Sequence, residues 1–214
     1  MLKQYRKTLI ITTILILLPI LAGIILWNRL PEQFPTHFNA AGEVDGYGSK
    51  AFGVFGLPLI LVAFQWLCVV GSLKMDPKAE NLQGKMFSLV LWIIPVLSVV
   101  MNALVYCTAM GMDMKVQIIV PLLVGLLLVI IGNWLPKCKP TWTLGIKLPW
   151  TLADEDNWNR THRFAGPIWV AGGMVIMLCA LIGGALLWVM PAALAAMVLT
   201  PTVYSYLLFK GKNK

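Results

Sequence analysis

With 59% of its 214 residues hydrophobic, 12% charged and a mean hydropathy of +0.80, the chain carries more apolar surface than one water-soluble core could hide. Lipid must be the solvent for much of it. A formal net charge of +8 would suit nucleic acid, but the charges cluster beside the apolar stretches as a topology signal, so direct nucleic-acid binding is not expected.

A helix of about 20 residues rising ~1.5 Å each spans the ~30 Å hydrocarbon layer. Six stretches reach that length: 8–27, 52–73, 86–109, 116–135, 167–189 and 191–209. They are continuously apolar, not alternating, so the spacing predicts an all-α polytopic membrane helix bundle of about six transmembrane helices in a single membrane domain, not a barrel. The first follows Lys3, Arg6 and Lys7 but is too long for a secretory signal and lacks a small-residue cleavage site, so it reads as an uncleaved anchor.

Between the first two spans, residues 28–51 hold Pro31 and Pro35 with Gly42, Gly46 and Gly48, which predicts an ordered, turn-rich loop. Phe34, Phe38 and Tyr47 either lie on the bundle or present an apolar surface to a ligand. His37 stands near Glu43 and Asp45, residue types that ligate zinc, yet a single histidine favours hydrogen bonding within the loop, and no metal is expected.

No Asp, Glu, His, Lys or Arg interrupts the six stretches, which argues against a proton or ion path. Gln65, Asn102, Gln117 and Asn133 read as interhelical hydrogen-bonding groups. Pro19, Pro58, Pro95, Pro121, Pro167, Pro191 and Pro201 predict kinks, and the pairs Gly53 and Gly56, Gly172 and Gly173, and Gly183 and Gly184 predict close helix approach. Cys68, Cys107, Cys138 and Cys179 fall where no two would share an oxidising compartment, so they read as packing residues.

The segment 136–166 mixes Trp142, Trp150 and Trp158 with basic residues, a composition suited to the headgroup interface. Thr151 followed by Asp154 looks like a helix start, Glu155 and Asp156 fill its first turn, and Arg160, His162 and Arg163 its last, with Gly166 and Pro167 ending or bending it before the fifth span. Pairs of Asp156 with Arg160, and of Glu155 with Arg163, would add support. The segment reads either as a docking surface for a cytoplasmic partner or as an amphipathic element on the membrane. It offers no ordered nucleophile and base and no phosphate-cradling glycines, so no catalytic residue and no cofactor are expected.

Orientation follows from basic residues, which collect in cytoplasmic loops. One set of alternate segments carries 14 of the 17 Lys and Arg, and the other only Arg29, Lys50 and Lys115. Both termini are therefore expected inside, the 28–51 loop outside and the 136–166 segment in the cytoplasm.

Two motifs carry a resemblance. Leu30-Pro31, Pro35, His37, Asn39, Gly42 and Asp45 are similar to a small N-terminal membrane domain of unassigned function. Gly132-Asn133-Trp134-Leu135-Pro136-Lys137, Gly145-Ile146, Pro149-Trp150-Thr151-Leu152, Trp158, Thr161-His162-Arg163 and Gly166 resemble the long cytoplasmic signature of the bacterial SdpI family of membrane immunity proteins. Departures occur at Thr141, where the pattern commonly has Asn, and at Lys147-Leu148, where it has Arg-Thr.

The resemblance implies a protein of the bacterial cell membrane that protects the producing cell from a secreted peptide toxin. It also implies recruitment of a small cytoplasmic repressor to the membrane. On that reading Pro35, His37, Asn39, Gly42 and Asp45 belong to a ligand-sensing outer loop. The partner segment holds Asn133, Pro136, Lys137, Gly145, Pro149, Trp150, Thr151, Trp158, Thr161, His162 and Arg163. A small transporter or channel is the first rival, a membrane enzyme the second and a scaffold without an immunity role the third.

Overall fold

The computed structural model describes residues 2–82, 85–183 and 186–212. Gly184, singled out above, and Lys214, one of the basic residues counted for orientation, lie outside them. The elements are α1 (Leu2–Ile25), β1 (Gln33–Phe38), β2 (Val44–Ser49), a π-helical turn (Phe52–Gly56) leading into α2 (Leu57–Met75), a 3-10 turn (Ala79–Leu82), α3 (Lys85–Ala109), α4 (Val116–Trp134) extended by a 3-10 turn (Leu135–Lys137), α5 (Pro149–Ala153), α6 (Glu155–Ile182) and α7 (Leu186–Lys212). Six helices among the described residues are long and apolar enough to cross a membrane, and the all-α polytopic fold is borne out.

Three local details differ from the sequence expectation. α6 runs through Gly166 and Pro167 without ending there, because a membrane helix tolerates an interior proline when neighbours support it. It starts at Asp154, whose side chain accepts the Asp156 N–H, and not at Thr151. The last two helices part at Gly183, whose φ of 80° only glycine adopts readily, while Pro191 lies inside α7. Gly183 is thus a helix stop, with nothing close to its missing side chain, and not a site of close approach.

The chain forms two compact units, Met1–Met75 with Phe87–Val116 and Asp76–Met86 with Gln117–Lys214. In the first, polar side chains tie α1 to its neighbours where water is absent. Gln65 Nε2 donates to Thr12 Oγ1 (2.8 Å), Ser98 Oγ to the Ile16 carbonyl (3.1 Å) and Tyr106 OH to the Pro19 carbonyl (2.9 Å). Leu30, Phe34, Val54 and Tyr106 form a buried cluster in which the Phe34 ring lies on Gly53, leaving no room there for a Cβ.

In the second unit, glycines spaced seven residues apart bring two backbones together. A Cβ on Gly125 would lie 2.7 Å from the Gly173 carbonyl and one on Gly173 would lie 2.6 Å from the Gly125 carbonyl. Gly132 and Gly166 repeat the arrangement, each at 2.9 Å from the other's oxygen. The two pairs fix an antiparallel crossing of α4 and α6 over two helical turns.

Gly173→Val is expected to lose about 1–3 kcal/mol or more through overpacking. Gly71→Ala, where nothing lies within 4 Å of the added carbon, should be neutral or slightly stabilising. Unfolding of the two variants in mixed micelles, followed by circular dichroism, checks the contrast.

Candidate functional site

The 28–51 loop is a β-hairpin. β1 and β2 pair antiparallel from Gln33 opposite Ser49 to Phe38 opposite Val44, with irregularities on either side of His37. The turn is built by Asn39: its Oδ1 accepts the Ala41 and Glu43 N–H groups, its Nδ2 donates to Glu43, and its carbonyl accepts the Gly42 N–H. Gly42, at φ 83°, supplies the left-handed residue that closes a three-residue hairpin loop. Pro35 is buried beside Phe34, whereas His37 and Asp45 form an exposed pair, Nδ1 to Oδ1, at 2.5 Å. Tyr47 is exposed on the opposite strand.

Lys50 secures the hairpin base. Although only 7% exposed, its ammonium donates to the carbonyls of Trp27 (3.2 Å) and Leu30 (3.1 Å), pairs with Glu32 (2.7 Å) and lies over the Trp27 ring. The cation thereby satisfies carbonyls left over where α1 ends.

The 136–166 segment folds into a polar knot. Trp158 is fully buried, its indole N–H donating to the Cys138 carbonyl (2.8 Å) and its ring stacked on His162. His162 Nε2 accepts the Ile146 N–H (2.9 Å) while Nδ1 faces the Trp158 carbonyl (2.8 Å), so the bonds select the neutral tautomer with its proton on Nδ1. Gly145, at φ 104°, passes over both rings, where a Cβ would lie 2.6 Å from His162 Nε2. Thr151 Oγ1 accepts the Leu148 N–H and donates to the Ile146 carbonyl. Burial pushes the Cys138 thiol up to about 11, which leaves it protonated and unreactive.

Trp150 and Asn157 anchor this knot to α7. The indole of Trp150 donates to Ser205 Oγ and packs on Tyr206 and Phe209; Asn157 Nδ2 donates to the Ser205 carbonyl, and Thr161 Oγ1 donates to Asn157 Oδ1. Asp156 and Arg160 approach to 3.8 Å, but the closer ion pairs join Lys212 to Asp154 (2.6 Å) and Asp156 (2.9 Å).

Sequence reasoning passed over Asp76. Buried among the 138–146 loop, its Oδ2 accepts the N–H groups of Trp142 and Thr143 and the Thr143 hydroxyl at 2.8–2.9 Å, and Oδ1 accepts the Lys78 N–H. Asn81 adds a bond to the Pro140 carbonyl. The only hint was the Asp76-Pro77 pair, a common turn opening. Of the signature residues, Thr151, Trp158, Thr161 and His162 are buried, and Gly145 and Trp150 partly so; Asn133, Pro136, Lys137, Pro149 and Arg163 are exposed.

Asp76→Ala should release the Trp142 and Thr143 amides, seen as hydrogen exchange accelerated tenfold or more there, for a loss of about 1–3 kcal/mol. The Lys212 ammonium holds the Asp154 carboxyl below the usual carboxylate range. A lowered folded-state value means the tie is present at neutral pH and lost as pH falls through that value. In Lys212→Gln, the carbon-13 carboxyl titration of Asp154 should move back up toward the ordinary range.

Residues 14–62 match a domain of unknown function (DUF1648), and residues 137–205 match the SdpI/YfhL protein family. Over 212 residues, 97% of this chain and 98% of the relative, the sequence is 26% identical to the immunity protein SdpI of Bacillus subtilis strain 168. No solved structure matches. The hairpin lies within the first matched stretch and the knot of Trp158 and His162 within the second, and the family matched there is the one that the two motifs resemble.

Proposed function

We propose that the chain protects a bacterium against a secreted antimicrobial peptide, with the hairpin as the element that meets the peptide. The observation that carries this reading is the similarity to an immunity protein over nearly the full length of both chains. The hairpin suits the role because its turn is fixed by Asn39 and Gly42 and its base by Lys50, so that His37, Asp45 and Tyr47 are presented from a rigid support.

The hairpin follows one span and the knot follows four, and with basic residues concentrated in the alternate segments the hairpin faces outward and both termini face the cytoplasm. The proposal extends to signalling. Peptide binding that favours one conformation of the bundle changes the exposed basic rim of the knot, Lys137, Lys147, Arg160 and Arg163, which then holds a small cytoplasmic repressor at the membrane. The split of the signature into buried and exposed residues supports this division, since the buried ones shape the rim and the exposed ones are free to touch a partner.

Expression in a peptide-sensitive bacterium should restore growth, and His37→Ala with Asp45→Ala should cut protection by tenfold or more at unchanged protein level. Killing unaltered by the intact chain would defeat the immunity reading. A lone cysteine at Asn39, in a chain whose four native cysteines are replaced, should react with a membrane-impermeant reagent added outside, and one at Asn159 should not.

A further inference from the structure

A groove of about 320 Å³ opens on the outside of the α4 and α6 pair. Gly132 and Gly166 form its floor, where the two backbones touch, and Asn133, Pro136, Pro167 and Met174 stand around it. The volume lies at the small end of ligand sites, about 300–1,000 Å³. It is too small for a partner helix, which is about 10–12 Å across with its side chains. One hydrocarbon chain fits that shape.

Position along the helix adds a second constraint. Arg163, Gly166, Pro167, Val170, Ala171 and Met174 fall on one stripe of α6, because residues three and four apart share a face. From Arg163 to Met174 the stripe runs about 16 Å at ~1.5 Å per residue, close to half the ~30 Å hydrocarbon layer. The groove itself covers about 12 Å of that stripe, from Gly166 to Met174, so groove and cation together match one leaflet, with the cation at the headgroup end. Lys137, the residue after Pro136, is exposed at that same end with its ammonium over the Trp134 ring, an indole placed as interface anchors are.

Two polar groups are left over. The exposed Arg163 guanidinium has no ion pair or hydrogen bond among the described residues, and neither has the Asn133 amide within the groove wall. A carboxamide facing hydrocarbon is costly unless it finds a partner, and the ester oxygens of a glycerolipid lie at that depth. Basic pockets between transmembrane helices select anionic headgroups.

We infer that the α4 and α6 groove binds one anionic phospholipid, an acyl chain along Gly166 to Met174 and its phosphate between Arg163 and Lys137. The bound lipid fills the space that the small residues leave open and holds the rim of the knot at a fixed depth. The inference rests on the six spans and the geometry of this groove, independently of any immunity role.

The test uses the purified full chain, exchanged in detergent with phosphatidylglycerol or phosphatidylcholine of identical chains, with retained lipid counted by native mass spectrometry. Phosphatidylglycerol should be retained in preference, and Arg163→Gln and Lys137→Gln should each reduce that preference about fivefold. Ala171→Phe, which fills the groove from an exposed position, should lower retention of both lipids; circular dichroism confirms that all three variants keep their helices. Equal retention of the two lipids, or a preference untouched by the two charge variants, overturns the proposal. Displacement by soluble glycerol phosphate alone would also overturn it, by showing a plain phosphate site, as would dimers that disappear in Ala171→Phe, by showing a contact between copies.

Discussion

The backbone contact of α4 with α6 is the constraint on which the second unit depends. Gly125 with Gly173 and Gly132 with Gly166 leave no space for a side chain, so the two helices meet at a fixed place and in a fixed register. Pro136 then rests on Gly166, which turns the chain out of α4 through the 3-10 turn Leu135–Lys137. From there Cys138 reaches the Trp158 indole two turns earlier on the same α6 helix that holds Gly166. The close packing and the start of the signature segment are thus one arrangement, and the exposed groove between the helices is its outer surface.

Past Cys138 the backbone turns irregular at the edge of a membrane, where unpaired N–H and C=O groups are costly. Buried side chains answer several of them. Trp158 takes the Cys138 carbonyl, His162 the Ile146 N–H, Thr151 the Leu148 N–H and the Ile146 carbonyl, and Asp76 two further amides from across the unit. Indole, imidazole and threonine combine an apolar body with a polar tip, which is what a site half in lipid and half in water demands. Lys50 performs the same service for the end of α1, with Glu32 and the Trp27 ring compensating its charge.

The six spans were legible because each is a local property of about 20 residues. The hairpin was half legible: prolines and glycines announced turns, but strand pairing depends on Phe34 finding Gly53 and on Lys50 reaching back to Leu30, contacts that no window of sequence contains. Asp76 was missed for the same reason, since its partners Trp142 and Thr143 lie more than sixty residues away. The helix ends were misplaced where proline was given too much weight; Gly183 and the carboxylate of Asp154 set the boundaries, while Pro167 and Pro191 sit inside helices. The hydrogen bonding expected of His37 within the loop is made to Asp45.

Burial sorts the departures from the family pattern. Thr141, where asparagine is common, uses one hydroxyl to accept the Leu144 N–H (3.0 Å) and to donate to the Leu144 carbonyl (2.9 Å). A carboxamide has both an acceptor and donors, so either residue closes this turn and the knot beneath is indifferent to the exchange. Lys147 is another matter: it is exposed, among the described residues bonds only the Thr143 carbonyl, and stands where the pattern has an arginine able to grip a carboxylate with two parallel bonds. A change there leaves the buried contacts untouched and alters only the exposed surface. A substitution at an exposed position such as Lys147 therefore changes the surface of the segment, while the buried Trp158 and His162 and the tightly packed glycines beneath it keep their contacts.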